Sequence, residues 1–345
     1  MCSCAVIGLQ IRYFQASMRA TVVIPCYKPN EHFDKVLDDL NAQTSQEFEV
    51  VLVDDGNEPP LQDRVDRRLS RPFRIIRFDT NQGIVAGLNA AVASATTPYV
   101  VRMDADDRMP AYRIERQLAW MDRHPDIDVA GGAMLTFGQK VRLWAHPSEV
   151  PAAAGGLLWG PTLNHPTVIA KTAVLQATPY PADAPLGEDY VLWLRLVEQG
   201  RRLGNMDEVM VYYRLEGQNT SQTGQDSRGE RYFSLFERAV TSLLPLANRA
   251  AVMEGVRAGA HHVLAGVTLP SSVDKPSKQT VQAHGQVLLE ALAGVEAPWA
   301  RRAEQSVQQR LRRHERTLPW HKAKELLDPW LIGFSHMARV RASGF

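Results

Sequence analysis

The chain has 345 residues, of which 45% are hydrophobic and 22% charged, with a formal net charge of +1. That balance is ordinary for a globular protein with a sizeable core, and it argues against a bulk electrostatic partner such as duplex DNA. Three cysteines, Cys2, Cys4 and Cys26, do not make a disulfide framework and suit a reducing cytoplasm. No apolar run approaches the roughly 20 residues of a membrane-spanning helix.

Residues 1–18 read as an N-terminal lead, because Met18-Arg19-Ala20 directly precedes the first strong strand. Thr21–Pro25 is a β-branched apolar run. Glu31–Gln43 reads as a helix with Asn30 as its N-cap. Phe48–Val53 and Arg74–Phe78 are further strands. Gly83–Ser94 is an alanine-rich helix, Tyr99–Met103 a fourth strand, Tyr112–Asp122 a helix opened by Pro110, and Ile127–Ala130 another strand. Strands that are apolar throughout and alternate with helices predict a mostly parallel α/β sheet covered on both faces.

Residues 131–186 are irregular and rich in Gly, Pro and Ala. A helix follows over Glu188–Gln199, stopped by Gly200, with Tyr190, Trp193, Leu194 and Val197 on one apolar stripe. Val209–Arg214 is the last strand. From about Ser227 helix formers dominate, interrupted by a linker at Ser271–Ser277. This divides the chain into a lead (1–18), an α/β domain (19–225) and an all-helical extension (226–345).

Four segments carry chemistry. Three carboxylates, Asp104, Asp106 and Asp107, follow an apolar strand, at the edge where open α/β sheets bind ligands. Like charges about 4 Å apart repel by roughly 4 kcal/mol at an effective dielectric near 20. Solvent or a hard divalent cation, Mg²⁺ or Mn²⁺, must offset that repulsion. Asp54-Asp55-Gly56 ends another strand, and reads either as an Asx turn or as an acceptor for a base N–H or ribose hydroxyl. Pro25-Cys26-Tyr27 offers an aromatic ring to stack on a base, or one that simply packs in its loop. Glu188 and Asp189 occupy the first turn of a helix, where negative charge is favourable. There an ionised Asp can also act as a general base.

In this order and spacing the segments resemble the family 2 glycosyltransferases of GT-A fold, and within them the bacterial transferases that build lipopolysaccharide and other surface glycans. The resemblance rests on Val22–Tyr27, Val53–Gly56, Asn81-Gln82-Gly83 with Gly87-Leu88-Asn89, and Arg102–Asp107. It continues through Asn164–Thr167, Gly187–Leu196 and Tyr212-Tyr213-Arg214. It spans about residues 20–221. It implies an inverting transfer of a sugar from a nucleotide-diphosphate donor, such as a UDP-sugar, to a hydroxyl of a glycan or lipid-linked acceptor, assisted by Mn²⁺ or Mg²⁺. By that resemblance Pro25, Tyr27, Asp54, Asp55, Gly83, Asn89 and Asp104 lie along the donor nucleotide, and Asp106 with Asp104 at the metal. His165 and Arg214 lie by the donor sugar and phosphates, and Asp189, with Glu188, at the acceptor proton. Two positions depart from many relatives: Asn57 stands where Ser or Thr follows the turn, and Leu88 where some carry Arg.

Two other functions fit less well. A nucleotidyltransferase would show a Gly-rich, basic loop after the first strand, where this chain has Pro25-Cys26-Tyr27-Lys28-Pro29. A non-catalytic sugar- or partner-binding protein on a transferase fold would not be expected to keep acids at 104, 106 and 189. In the tail, Arg301, Arg302, Arg310, Arg312, Arg313 and Arg316 lie among Trp299, Trp320 and His321. This stretch suits a helix face packed on the catalytic domain, or peripheral contact with an anionic membrane on the cytoplasmic side.

Overall fold

The computed structural model describes residues 18–148, 150–184, 187–215, 225–265 and 273–315. The N-terminal lead up to residue 17, Arg316, Trp320 and His321, and the first two residues of the Ser271–Ser277 linker lie outside the described residues. The central feature is an eight-stranded sheet. Its strands are β1 (Ala20–Cys26), β2 (Phe48–Asp55), β3 (Phe73–Phe78), β4 (Tyr99–Arg102), β5 (Val129–Gly138), β6 (Leu143–Trp144), β7 (Ile169–Lys171) and β8 (Leu203–Leu215).

Strands β3, β2, β1 and β4 run parallel in that order. Strand β7 is then inserted antiparallel between β4 and β5. Strand β8 pairs parallel with β5, and the two-residue β6 closes an antiparallel hairpin on it. The strand expected at Ile127–Ala130 is therefore longer and begins later, because β8 pairs along its whole length. Likewise Val209–Arg214 is only the second half of β8.

The pleat sends successive side chains to opposite faces. Val22, Ile24, Val50 and Leu52 join one core, under α1 (Phe33–Asn41) and α4 (Arg113–Arg123). Val23, Val51 and Val53 join the other, under α3 (Ile84–Ser94) and α7 (Glu188–Glu198). Helix α1 starts later than its periodicity suggests. His32 is its N-cap residue, and Asn30 instead accepts a hydrogen bond from His32 N through Oδ1 at 2.9 Å. The α7 stripe is broader than predicted: besides Tyr190, Trp193 and Leu194, the side chains of Val191, Leu192 and Leu196 are buried, while Val197 is only partly so.

Short helices α2 (Gln62–Asp66), α5 (Val150–Gly156) and α6 (Thr172–Ala177) connect these elements. The extension forms α8 (Gln225–Leu243), α9 (Leu246–Arg257), α10 (Ala260–Ala265), α11 (Lys278–Ala293) and α12 (Ala300–Glu315). These helices do not form a core of their own. Phe236, Val252, Leu288 and Val307 belong to the same apolar cluster as Trp193 and Leu157. Among the described residues no helix is long and apolar enough to cross a membrane.

Candidate active site

Two acids end β2, and the pleat gives them different partners. Asp54 is 1% exposed, and both of its oxygens are taken up inside the protein. Oδ1 accepts from Asn57 N (3.0 Å) and Asn57 Nδ2 (2.7 Å), and Oδ2 from Leu61 N (3.0 Å) and Arg77 Nη1 (2.7 Å). Burial pushes this carboxyl up, but those hydrogen bonds outweigh it and hold it below the usual range. Asp54 is thus an organiser of its loop, and the expected contact with a nucleotide would need lone pairs it has already committed. Asn57, the departure noted above, clips the β1 and β2 loops together. Its Nδ2 donates to Cys26 O (2.8 Å), and its Oδ1 accepts from Lys28 N (2.6 Å).

Asp55 accepts from Asn81 Nδ2 (2.7 Å), Gln82 N (2.7 Å) and Gly83 N (3.0 Å), which fixes the entry to α3. Gly56, at φ +72°, is required here: a Cβ would lie 2.6 Å from the Thr80–Asn81 backbone. Tyr27 projects beside this turn, 47% exposed, with Lys28 Nζ 5.1 Å from its ring centroid. Pro25 packs against α3 at Gly87, where a Cβ would meet Pro25 Cβ at 3.2 Å. Asn89 lies two residues further along α3. It is spent on the chain around Tyr180, donating to Tyr180 O and accepting from Tyr180 N at 2.9 Å each.

The acidic turn follows β4. Arg102, nearly fully buried, is ion-paired to Asp104. Burial works against the Arg102 charge, but Asp104 first, then Tyr180 and Glu188, hold its pKa above the usual value. Asp106 is raised by burial and by Asp104, with Arg102 and Arg214 pulling the other way. Asp107 is 1% exposed and is raised further by burial. Its Oδ1 accepts from Arg214 N (2.9 Å), and its Oδ2 is buried without a hydrogen bond. Arg214 also donates from Nε to Asp106 O (3.1 Å) and lies 4.6 Å over the Phe137 ring. Beyond the turn, Arg108 grips Asp39 through two 2.6 Å bonds.

Beneath the turn lies a fully buried cation, Arg113. It donates to Arg102 O (2.7 Å) and Pro166 O (2.8 Å), while Gln117 Nε2 donates to Thr167 O (2.7 Å). Burial, then Arg102, lowers Arg113 to about 9, opposed by Asp107 and Asp104. Together these bonds hold the acidic turn to the 3₁₀ turn at His165–Thr167.

The second acidic pair opens α7. Gly187 sits at φ +109° as N-cap, and its N–H donates to Glu188 Oε2 (3.1 Å). Burial, then the Asp189 charge, pushes Glu188 up to about 7. Asp189 is partly exposed and is also raised by burial, with Arg102 pulling it down. His165 Nδ1 lies 3.8 Å from Glu188 Oε1, and its Nε2 is 2.9 Å from Tyr180 Oη. Burial, then Arg102, keeps His165 neutral. Tyr180 senses Arg102, Asp189, Glu188 and Asp104 at once. Acids from the β4 turn and from the α7 N-terminus therefore face one buried guanidinium.

The hard-oxygen set fits a divalent cation. Asp104 and Asp106 carry crowded negative charge, and the buried Asp107 Oδ2 behind them is unpartnered. Among the described residues no three or more His, Cys, Asp or Glu enclose an ion on their own. Mg²⁺ held largely by substrate phosphates needs only one or two protein carboxylates.

Arg102, Arg113 and Tyr180 escaped the sequence reading as site residues. A cation in the first turn of α4 opposes the helix dipole. An arginine ending the apolar run Val100-Val101 is equally out of place. Such breaches of local rules mark functional positions and were visible in the sequence. Tyr180 carries no such mark.

A mostly parallel sheet covered by helices on both faces, with acids at the end of β4 and at the start of α7, is shared with known sugar-transferring enzymes of GT-A fold. The glycosyl transferase family 2 model matches residues 21–173. An uncharacterized glycosyltransferase of Haemophilus influenzae is 30% identical over 229 residues, covering 64% of this chain and 85% of the relative. The amylovoran biosynthesis glycosyltransferase AmsE of Erwinia amylovora is 31% identical over 202 residues, covering 56% and 75%. The chain belongs to glycosyltransferase family 2. Among solved structures, S. aureus TarS 1–349 in complex with UDP-GlcNAc superposes with a TM-score of 0.58 at 18% identity, covering 88% of this chain and 93% of that 1–349 fragment. The mannosyltransferase PcManGT of Pyrobaculum calidifontis, in complex with GDP-Man and Mn²⁺, gives 0.51 at 17%, covering 89% of each chain.

Proposed function

We propose that the protein transfers a sugar, with inversion, from a UDP-sugar to a hydroxyl of a glycan or lipid-linked acceptor in bacterial cell-surface polysaccharide synthesis. The observation that carries this reading is geometric: Arg102 is ion-paired to Asp104, Arg113 ties Arg102 O to Pro166 O, and the adjoining His165 lies 3.8 Å from Glu188, so the β4 turn and the start of α7 are joined through one buried hub. Relatives named for amylovoran and teichoic acid synthesis support the setting, and neighbours solved with UDP-GlcNAc and GDP-Man support a nucleotide-sugar donor.

Residues 19–225 form the catalytic domain and residues 226–345 the C-terminal extension, whose described part is helical. Tyr27 and Pro25 flank the nucleobase, and Asp55 holds the Asn81–Gly83 backbone beside it. Gly83, at φ +88°, leaves the N-terminus of α3 open toward the donor. Asp106, with Asp104, would hold Mn²⁺ or Mg²⁺, which neutralises charge on the leaving diphosphate when bound. Arg214 adds positive charge on the same side. Asp189 takes the acceptor proton as the acceptor oxygen attacks the anomeric carbon; burial raises its carboxyl, and the Arg102 charge pulls it back toward the ionised form. Glu188 stands beside Asp189 at the acceptor proton, and neutral His165 lines the donor-sugar side. The enzyme works at the cytoplasmic side of the membrane, and Arg301 and Arg312, exposed on α12, give it peripheral contact with anionic lipid, whereas Arg310 packs on Trp159.

A thermal-shift screen of UDP-, GDP- and dTDP-sugars with Mn²⁺ tests the donor class. A UDP-sugar is expected to raise the melting temperature, and a shift confined to a GDP- or dTDP-sugar would replace that assignment. Absence of any shift, with no donor hydrolysis, would favour a binding protein.

A further inference from the structure

Residues 157–164 form a buried, irregular segment leading directly into Asn164-His165. Leu157, Leu158, Leu163 and Asn164 are all buried, and the segment has no sheet partner. Buried carbonyls outside regular structure need other donors. Here different elements supply them. Tyr190 Oη, one residue past Asp189, donates to Leu157 O. Asn205 Nδ2 in β8 donates to Thr162 O (3.0 Å). His261 Nε2 in α10 pairs with Leu158 O (2.9 Å).

That last bond fixes a chain of tautomers. A carbonyl only accepts, so His261 carries its proton on Nε2 and presents Nδ1 as acceptor. His284 Nε2 in α11 lies 3.0 Å from that Nδ1 and must donate to it. Both rings are buried. Trp159 stacks on His261 with centroids 4.9 Å apart. Arg310, from α12, lies 4.6 Å over the Trp159 ring and donates to Leu264 O (2.7 Å). At the start of the segment α5 meets α12 so closely that a Cβ on Gly155 would lie 2.8 Å from Trp299 O.

We propose that the C-terminal helical layer is a positioning element for the reaction: His261, backed by His284 and by the Arg310–Trp159 contact, locks residues 157–163 and thereby sets Asn164 and His165 against Glu188. The inference rests on the reading above that His165 serves the donor sugar and Glu188 the acceptor proton. It gives the extension a task in catalysis. His261 touches no substrate and acts through the segment it holds.

The test uses the full chain with His261→Phe, which keeps an aromatic ring between Trp159 and Phe236 and removes the donor. Hydrogen exchange of peptides covering 157–167, without ligand, is expected to speed up at least tenfold while β1 and β2 keep their protection. With Mn²⁺ and the UDP-sugar that wild type turns over, kcat for donor hydrolysis is expected to fall at least tenfold with the UDP affinity unchanged. Unchanged exchange in 157–167 overturns the proposal. So does faster exchange with kcat within twofold of wild type, which would leave a purely structural contact. If His261→Phe does not fold, Arg310→Met is read by the same two measurements with the same expectations. A wild type that neither binds nor hydrolyses any nucleotide sugar refutes the proposed function, while the exchange result still decides whether the clamp exists.

Discussion

Replacing Gly255 by alanine sets two opposing effects against each other. Gly255 lies inside α9, where alanine is favoured over glycine by about 1 kcal/mol on helix propensity alone. A Cβ at this position would lie 1.9 Å from His284 Nδ1 and 2.4 Å from its Cγ. The imidazole cannot stay. It is buried, and moving it breaks the bond to His261. Overpacking costs about 1–3 kcal/mol, and loss of a buried hydrogen bond about 1–3 more. The collision wins, and a net destabilisation of about 1–5 kcal/mol is expected for Gly255→Ala. Differential scanning fluorimetry should show a melting point lower by several degrees. Gly294→Ala serves as control, since its nearest neighbour to an added Cβ is Ala291 O at 3.8 Å and its φ is −88°. A Gly255→Ala protein as stable as wild type, or more so, would refute the close packing of α9 on α11.

Asp106→Ala is expected to weaken Mn²⁺-dependent UDP-sugar binding at least tenfold, read by calorimetry with and without the metal. Asp55→Ala removes the acceptor shared by Asn81 Nδ2, Gln82 N and Gly83 N; because Asn81 and Gln82 are exposed and water can replace it, the urea midpoint should fall only modestly, while loss of the ordered loop should weaken nucleotide binding. Burial depresses His284 to about 4, so the unfolded chain takes up a proton below about 6.5 that the folded chain refuses. That contribution is intact above pH 6.5 and is lost as pH falls toward 4, by roughly 3 kcal/mol for 2.5 units. Raised Glu188, Asp106, Asp107 and Asp189 act in the opposite direction, so the measurement is the stability difference between wild type and His284→Phe. That difference should shift against wild type from pH 7 to 4, and a pH-independent difference would contradict it.

Much of the first half of the fold was legible because β1, β2 and β4 are apolar on both faces and separated by short helices. Strand β7 was not. It has three residues, and its antiparallel place is set by partners about 40 and 70 positions away. At the site, sequence pointed to acids but not to what holds them. Asp54 and Asp55 look alike on paper, yet adjacent positions on a strand face opposite ways, and the two recruit separate sets of donors. Asn89 sits where a donor contact is implied, but its amide is occupied by Tyr180, 91 residues on. Arg113 reaches Pro166 across 53 residues. Such pairings depend on the closed sheet and leave no local periodicity.

The division of labour between the two acidic clusters is tested most directly by Asp189→Asn. The measurement pairs UDP·Mn²⁺ affinity by calorimetry with sugar transfer or donor hydrolysis on the same protein. The expected result is an affinity within twofold of wild type and turnover reduced by about 10²–10⁴, the range of general-base catalysis. Turnover at the wild-type rate would remove Asp189 as the proton acceptor, and joint loss of nucleotide binding would place it in the donor site instead.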